Sequence, residues 1–399
     1  MKLAVITTVY RPQSHTDVIM ARWFEHVPSD PAWGWDGPRS QIVSAYVAQF
    51  PDNDLARERF GEYGVPMYDT IAEALRGGGD TLAVDGVLLI AEHGDYPFNR
   101  FGQQLYPRAE MFHAIADVFA ADGRCVPLFF DKHLSWDFDL GRLMLERARR
   151  AGFEVLSASS IPFCRFDPPV SCDGDAVEGA VAIYPLVNGG NPESYGYHSL
   201  EFAQQVLERR AGGAAGVVEV TGWRGADVWS AAARGEFSTA LFEAVWRHAE
   251  GDKPLPDASW ERRSEHPTQA FCIRYADGLR VTHVGVEGCH EFAMAMSHSA
   301  KIHVTVSRTG AGEAERHSNF AALARVAEDW MWDGIEPFPA TRALLTCGTL
   351  QAMVHAVALP SGVAMPTPHL EDLGYTPAAY PVGVDHWDVP DAALVSEKE

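Results

Sequence analysis

Lysine is nearly missing from this chain of 399 residues: Lys2, Lys132, Lys253, Lys301 and Lys398 are all there are. Lysine and arginine together number 32 against 54 acidic residues, for a formal net charge of −22. Phosphate binding needs a cationic surface to release counterions, so this balance argues against a nucleic-acid partner. Paired cysteines are missing too. Cys125, Cys164, Cys172, Cys272, Cys289 and Cys347 contain no C-x-x-C spacing, which argues against a zinc knuckle or a disulfide framework. A reducing, cytoplasmic setting is therefore expected. No apolar run approaches bilayer length, so no membrane partner is expected. The run from Met1 to Val9 is too short for a signal-peptide core with a cleavage site and reads as a buried first strand.

What is present is the composition of a globular protein, 47% hydrophobic and 22% charged, at a length that suggests two domains. Residues 3–9, 42–48, 84–91, 126–130 and 152–156 read as strands. Helical spacing lies between them at 17–26, 68–75, 112–121 and 138–151. Such alternation predicts an α/β unit, a parallel sheet covered by helices. Beyond Pro168-Pro169 a helix over 198–210 is followed by long β-rich runs at 270–275 and 280–286, joined by Ala276-Asp277-Gly278, a strong hairpin signal. The second unit is expected to be an α+β domain with an open, largely antiparallel sheet and helices on one face. Helices at 320–332 and 341–356 come late. The boundaries expected are 1–167, 168–370 and an acidic surface tail over 371–399.

Two clusters carry the chemistry. Glu92-His93-Gly94-Asp95 follows one buried strand directly, and Asp131-Lys132-His133 follows the next. Ligands of open parallel sheets bind beyond the carboxyl ends of the strands, so both clusters would face one edge. His93, Asp95, Lys132 and His133 supply two imidazoles, a carboxylate and an amine, enough for general acid–base work. A solvated loop with a helix cap is the plain alternative, with Ser135 as the cap. His283, His298 and His303 lie in β-rich sequence and read as core or surface residues. The segment from Tyr96 to Arg108 mixes aromatic, amide and cationic groups and reads either as a surface loop or as a cover, with Arg100 or Arg108 meeting a carboxylate or phosphate.

At these residues the chain resembles the glucose-fructose oxidoreductase and inositol dehydrogenase family, which joins a Rossmann domain to an α/β domain with an open sheet. The family carries Glu-Lys-Pro after its fifth strand, and Asp131-Lys132-His133 looks like the counterpart. That resemblance places Lys132 at the catalytic lysine. Arg165-Phe166-Asp167-Pro168 matches as well. The family's second domain bears Asp-x-x-x-His, whose histidine transfers protons. The stretch from Tyr195 to Glu201 is similar, with His198 as that histidine, Ser194 in place of the aspartate, and Glu193 beside it.

The resemblance implies NAD(P), but the dinucleotide motif is degenerate. The family's Gly-rich turn is Tyr10-Arg11-Pro12-Gln13-Ser14-His15 here, the second strand ends at Gln49-Phe50-Pro51 without an acid, and Glu92 to Tyr96 replaces a Pro-rich turn. Ser14, His15 and Glu92 are left to meet a cofactor. The first expectation is a divergent oxidoreductase acting on a small hydroxylated, sugar- or polyol-like substrate between the domains. Lys132, His198, His93 and Asp95 would be its catalytic groups. A second is a metal-dependent, non-redox enzyme in which His93, Asp95 and His133, with His15 or His198, hold zinc, manganese or iron. A third is a binding protein that kept the fold and lost its chemistry. The resemblance also implies a homo-oligomer paired through the second sheet.

Overall fold

The computed structural model describes residues 1–25, 37–187, 190–262, 264–309, 317 and 319–377. Six strands form the first sheet: β1 (Lys2–Val9), β2 (Gln41–Gln49), β3 (Met67–Tyr68), β4 (Gly86–Ile90), β5 (Leu128–Asp131) and β6 (Val155–Ala158). Their order is β3-β2-β1-β4-β5-β6, with every pair parallel. The connections carry α1 (His15–Phe24), α2 (Ala56–Glu62), α3 (Ile71–Arg76), α4 (Arg108–Asp122) and α5 (Phe138–Ala151).

Successive side chains of a strand point to opposite faces, and both faces here are apolar. Ala4, Ile6, Val87 and Leu89 pack towards Phe112, Ile115 and Phe119 of α4. Leu3, Val5, Leu88 and Ile90 pack towards Val18 and Ile19 of α1. Local signals set the helix ends. Thr70 and Glu73 form a capping box at α3, and Asp137, rather than Ser135, caps α5 by accepting from Leu140 N at 3.0 Å.

The second sheet holds β7 (Arg165–Asp167), β8 (Val177–Pro185), β9 (Val217–Arg224), β10 (Gln269–Tyr275), β11 (Arg280–Val286), β12 (Phe292–His298), β13 (Lys301–Arg308) and β14 (Ala364–Pro366). The order is β14-β9-β10-β11-β8-β12-β13-β7, antiparallel except for the pair β8 and β11. The hairpin at 276–278 joins β10 to β11 in antiparallel register. Its helices are α6 (Pro192–Leu207), α7 (Ala226–Ala233), α8 (Thr239–Glu250), α9 (Asn319–Asp333) and α10 (Ala340–Val357).

Helices cover both faces of this sheet, which corrects the expectation of one. Ala180, Ala182 and Tyr184 of β8 join the core of α6 and α10, while Val181 and Ile183 pack with Val228 of α7 and Phe242, Val245 and Trp246 of α8. α9 returns to the first sheet, setting Phe320, Leu323 and Trp330 against α1 and β1.

Of the expected acidic tail, residues 371–377 are described and 378–399 lie outside the described residues. Tyr375 is held in place: its hydroxyl donates to Glu208 at 2.6 Å and accepts from Gln204 at 2.7 Å. No described helix is long and apolar enough to cross a membrane, and the six cysteines are unpaired.

Candidate active site

Parallel strands deliver their carboxyl ends to one edge, and in this strand order the direction of winding reverses between β1 and β4. His15, after β1, and His93, after β4, meet at that point with ring centroids 5.1 Å apart. Lys132 follows β5, and Ser159 and Ser160 follow β6. His93 and Lys132 both have φ of 68°, a left-handed conformation that non-glycine residues adopt at a cost of about 1–3 kcal/mol. The chain thus turns out of the strand direction three residues after β4 and directly after β5. A cavity of about 740 Å³ opens there, bounded by α6 and the second sheet, with His15, Glu92, His93, Lys132, Glu193 and His198 on its wall.

Glu92 organises the floor. Its carboxylate receives Lys132 Nζ at 3.2 Å on one oxygen and the Arg108 guanidinium on the other. Burial alone would raise the carboxyl's proton affinity, but Lys132 and Arg108 outweigh it and hold Glu92 well below the usual range. Arg108 also lies 3.2 Å from His133 Nε2, while His133 Nδ1 donates to Ser135 O at 2.8 Å. Burial first, and then the Arg108 charge, keep His133 neutral, with its pKa far below 6.5.

Two other histidines are tied down at Nδ1. His93 Nδ1 accepts from the backbone N–H of His15 at 3.4 Å, and burial followed by the His15 charge lowers its pKa to about 3. His198 Nδ1 lies 2.6 Å from Ser159 Oγ, which itself accepts from Ile161 N at 3.1 Å. Burial, then Lys132 and His15, drive the His198 pKa well down. Both rings are neutral, and His93, whose Nδ1 accepts, keeps its hydrogen on Nε2.

Glu193 completes the wall from the second unit. Asn191 caps α6 by accepting from Glu193 N at 2.8 Å, and Pro192 fills the first helical position, so the helix begins at 192 rather than 198. The Glu193 carboxylate accepts from Gln104 N at 2.9 Å. Burial raises its pKa to about 7 against the opposing charge of Arg108. The Asn191-Pro192-Glu193 run is a helix-start signal that could have brought this residue into view.

The segment from Tyr96 to Arg108 is docked, not poised to close. Gln103 Nε2 donates to Trp136 O at 2.9 Å, and Asn191 Nδ2 donates to Gly102 O. Arg108 is the first residue of α4, is 1% exposed, and meets a carboxylate of the protein itself, Glu92. Arg100 lies outside over the Phe101 ring. The expected metal set His93, Asp95 and His133 is not assembled. Asp95 is exposed and off the cavity wall, its backbone held by Gln49, and His133 has both ring nitrogens engaged. Among the described residues, the three-ligand group with convergent donors is Glu265, His266 and Glu287, and none of them lines the cavity.

No protein-family model matches the chain, and no curated protein matches it in sequence. Solved structures do match in shape. GenD2 from gentamicin A biosynthesis, in complex with NAD, shares 13% identity over 92% of this chain and 96% of its own, with a TM-score of 0.58. A probable dehydrogenase from Thermotoga maritima shares 12% over 93% and 100%, also at 0.58. Scyllo-inositol dehydrogenase from Lactobacillus casei, with bound NAD(H) and scyllo-inositol, shares 10% over 92% and 98%, at 0.56. The fold is that of these dehydrogenases. It is also the fold that the resemblance to the glucose-fructose oxidoreductase and inositol dehydrogenase family implied.

On this dehydrogenase fold a dinucleotide's pyrophosphate would need free backbone donors at the start of α1. They are taken. Ser14, fully buried, accepts through Oγ from Arg11 N at 3.2 Å and Asp17 N at 3.3 Å. Asp17 accepts from Gln13 N at 2.8 Å and adds a carboxylate where an anion would lie. His15 N is directed at His93. Gln49, at the end of β2, is spent on the backbone of Asp95, and a Cβ on Gly94 would come within 2.7 Å of the Tyr96 ring. The residues of this turn do not fit a pyrophosphate.

Proposed function

We propose that this chain is an oxidoreductase-like enzyme, in fold, that performs acid–base chemistry on a small hydroxylated, sugar- or polyol-like substrate in the cavity. One observation carries the reading: Lys132 from the first sheet and His198 from α6 open on the same cavity, with Glu92 beside the lysine. Lys132 would hold the substrate oxygen on which negative charge develops, and the Nε2–H groups of His198 and His93 would donate to neighbouring oxygens. Donors fixed before the ligand arrives need no reorganisation as charge builds.

NAD(P) enters this reading only through the neighbours described with it. The turn before α1 does not fit its pyrophosphate. Calorimetric titration with scyllo-inositol, myo-inositol, NAD and NADP tests both halves. Polyol binding is expected. Replacing Lys132 by methionine is expected to weaken that binding about tenfold or more, since a hydrogen bond to a charged group contributes about 1.5–3 kcal/mol. Tight dinucleotide binding that Asp17 and Ser14 fail to influence would overturn the misfit, and polyol affinity unchanged by Lys132→Met would overturn the assignment.

A further inference from the structure

Among the amine and imidazole groups described so far, none is set up as a base, while the Glu193 carboxyl, pushed up to about 7, lines the same cavity. Lys132 is paired with Glu92, and His93, His133 and His198 are neutral rings whose Nδ1 atoms are already hydrogen-bonded. One histidine differs. His15 Nδ1 lies 2.6 Å from Asp131 Oδ2, and that aspartate, the last residue of β5, is 1% exposed. The ring is clamped edge-on between His93 at 5.1 Å and Phe320 at 5.0 Å, and its residue opens α1, so the backbone cannot drift. His15 keeps 14% of its side-chain surface and lines the cavity, and Nε2 has no hydrogen-bond partner among the described residues.

A carboxylate on Nδ1–H fixes the tautomer, leaves Nε2 with a free lone pair, and stabilises the imidazolium once a proton arrives. We propose that His15, positioned by Asp131, is the catalytic base of this site, with Nε2 taking the proton of a substrate hydroxyl. The O–H bond breaks, the N–H bond forms, and the electron pair stays on the substrate oxygen. Lys132 meets that oxygen. No oxidant or reductant is involved in this step. The charged and titratable groups around His15 are Asp131 from β5, Glu92 and His93 after β4, and His198 from α6. The dyad occupies ground beside the turn where a dinucleotide does not fit, and its substrate class rests on the function proposed above.

The test uses the intact chain with 15N-labelled histidine. Long-range proton–nitrogen correlation of the wild type is expected to give His15 a protonated Nδ1 and an unprotonated, acceptor Nε2 at alkaline pH. The opposite tautomer overturns the proposal without any variant. Brief treatment with diethyl pyrocarbonate, mapped by mass spectrometry, is expected to acylate His15 ahead of His93 and His198. Asp131→Asn is expected to slow that acylation by about tenfold or more. Equal rates in the two proteins would overturn the dyad. Saturating scyllo-inositol is expected to protect His15. A chain with the tautomer and the Asp131 dependence but no protection supports the base and faults the substrate class, so the two readings fail separately.

Discussion

Two buried networks of charge, one at the cavity and one sealed between α6 and α10, use the same residue types to opposite ends. In the sealed one Arg342, fully buried, donates to Glu201 Oε2 at 2.7 Å, to Glu208 Oε2 at 2.9 Å and to Glu201 O at 3.0 Å. The Tyr375 hydroxyl closes the ring on Glu208. Burial works against the Arg342 charge, but Glu201 and Glu208 more than compensate and raise its pKa. At the cavity, Glu92 is matched by Lys132 and Arg108, whereas Glu193 is buried with no cation of its own and is pushed up to about 7. A network whose charges are paired with one another holds a fold together. One that leaves a carboxyl, an imidazole nitrogen and a lysine facing open space is equipped to receive a ligand.

Breaking the sealed network should have the largest effect. Arg342→Met leaves two carboxylates buried without a cation and is expected to cost about 3–5 kcal/mol of stability in urea titrations. Glu193→Gln should go the other way. A carboxyl whose folded pKa is raised from 4.5 to about 7 keeps its proton in the folded state while the unfolded chain releases it, so stability is lost as pH rises across that window. The glutamine variant should match the wild type below pH 4.5 and exceed it by about 3 kcal/mol at pH 8, from about 1.4 kcal/mol per pH unit. A variant less stable than wild type at both values would break the contrast.

Smaller changes sharpen it. Tyr375→Phe removes a hydroxyl bonded to a buried carboxylate and is expected to cost about 2 kcal/mol in the same titration. Gly94→Ala, at φ of 110° and against the Tyr96 ring, is expected to cost about 1 kcal/mol or more and to weaken polyol binding by shifting His93. If Gly94→Ala altered stability but left binding intact, the loop would belong to the fold alone.

Much of the architecture was legible because its determinants are local. Alternating strands and helices, the hairpin at 276–278 and the limits of α5 follow from apolar period and turn chemistry within a few residues. The clusters at 92–95 and 131–133 were legible for the same reason, since polar residues directly after a buried strand can only lie at its carboxyl edge. Gly94 at positive φ is local as well. The cover on the outer face of the second sheet was written in the continuous apolar run Ala180-Val181-Ala182-Ile183-Tyr184, which alternation to a single core would not need.

Contacts between distant residues decided the rest. His15 meets Asp131 across 116 residues, Gln104 meets Glu193 across 89, and Arg342 meets Glu201 across 141. No local pattern reports which carboxylate a cation will reach, because that depends on how helices and strands from both sheets converge. Sequence alone determined the fold class and the edge at which Lys132 and His93 stand. Only tertiary packing decided that Arg108 turns inward to Glu92, that Asp95 stays outside, that α1 starts on donors already used, and that His15 faces the cavity with a carboxylate behind it. The physical reason is that burial and pairing, which set the charge and the free lone pair of each group, are properties of the assembled site.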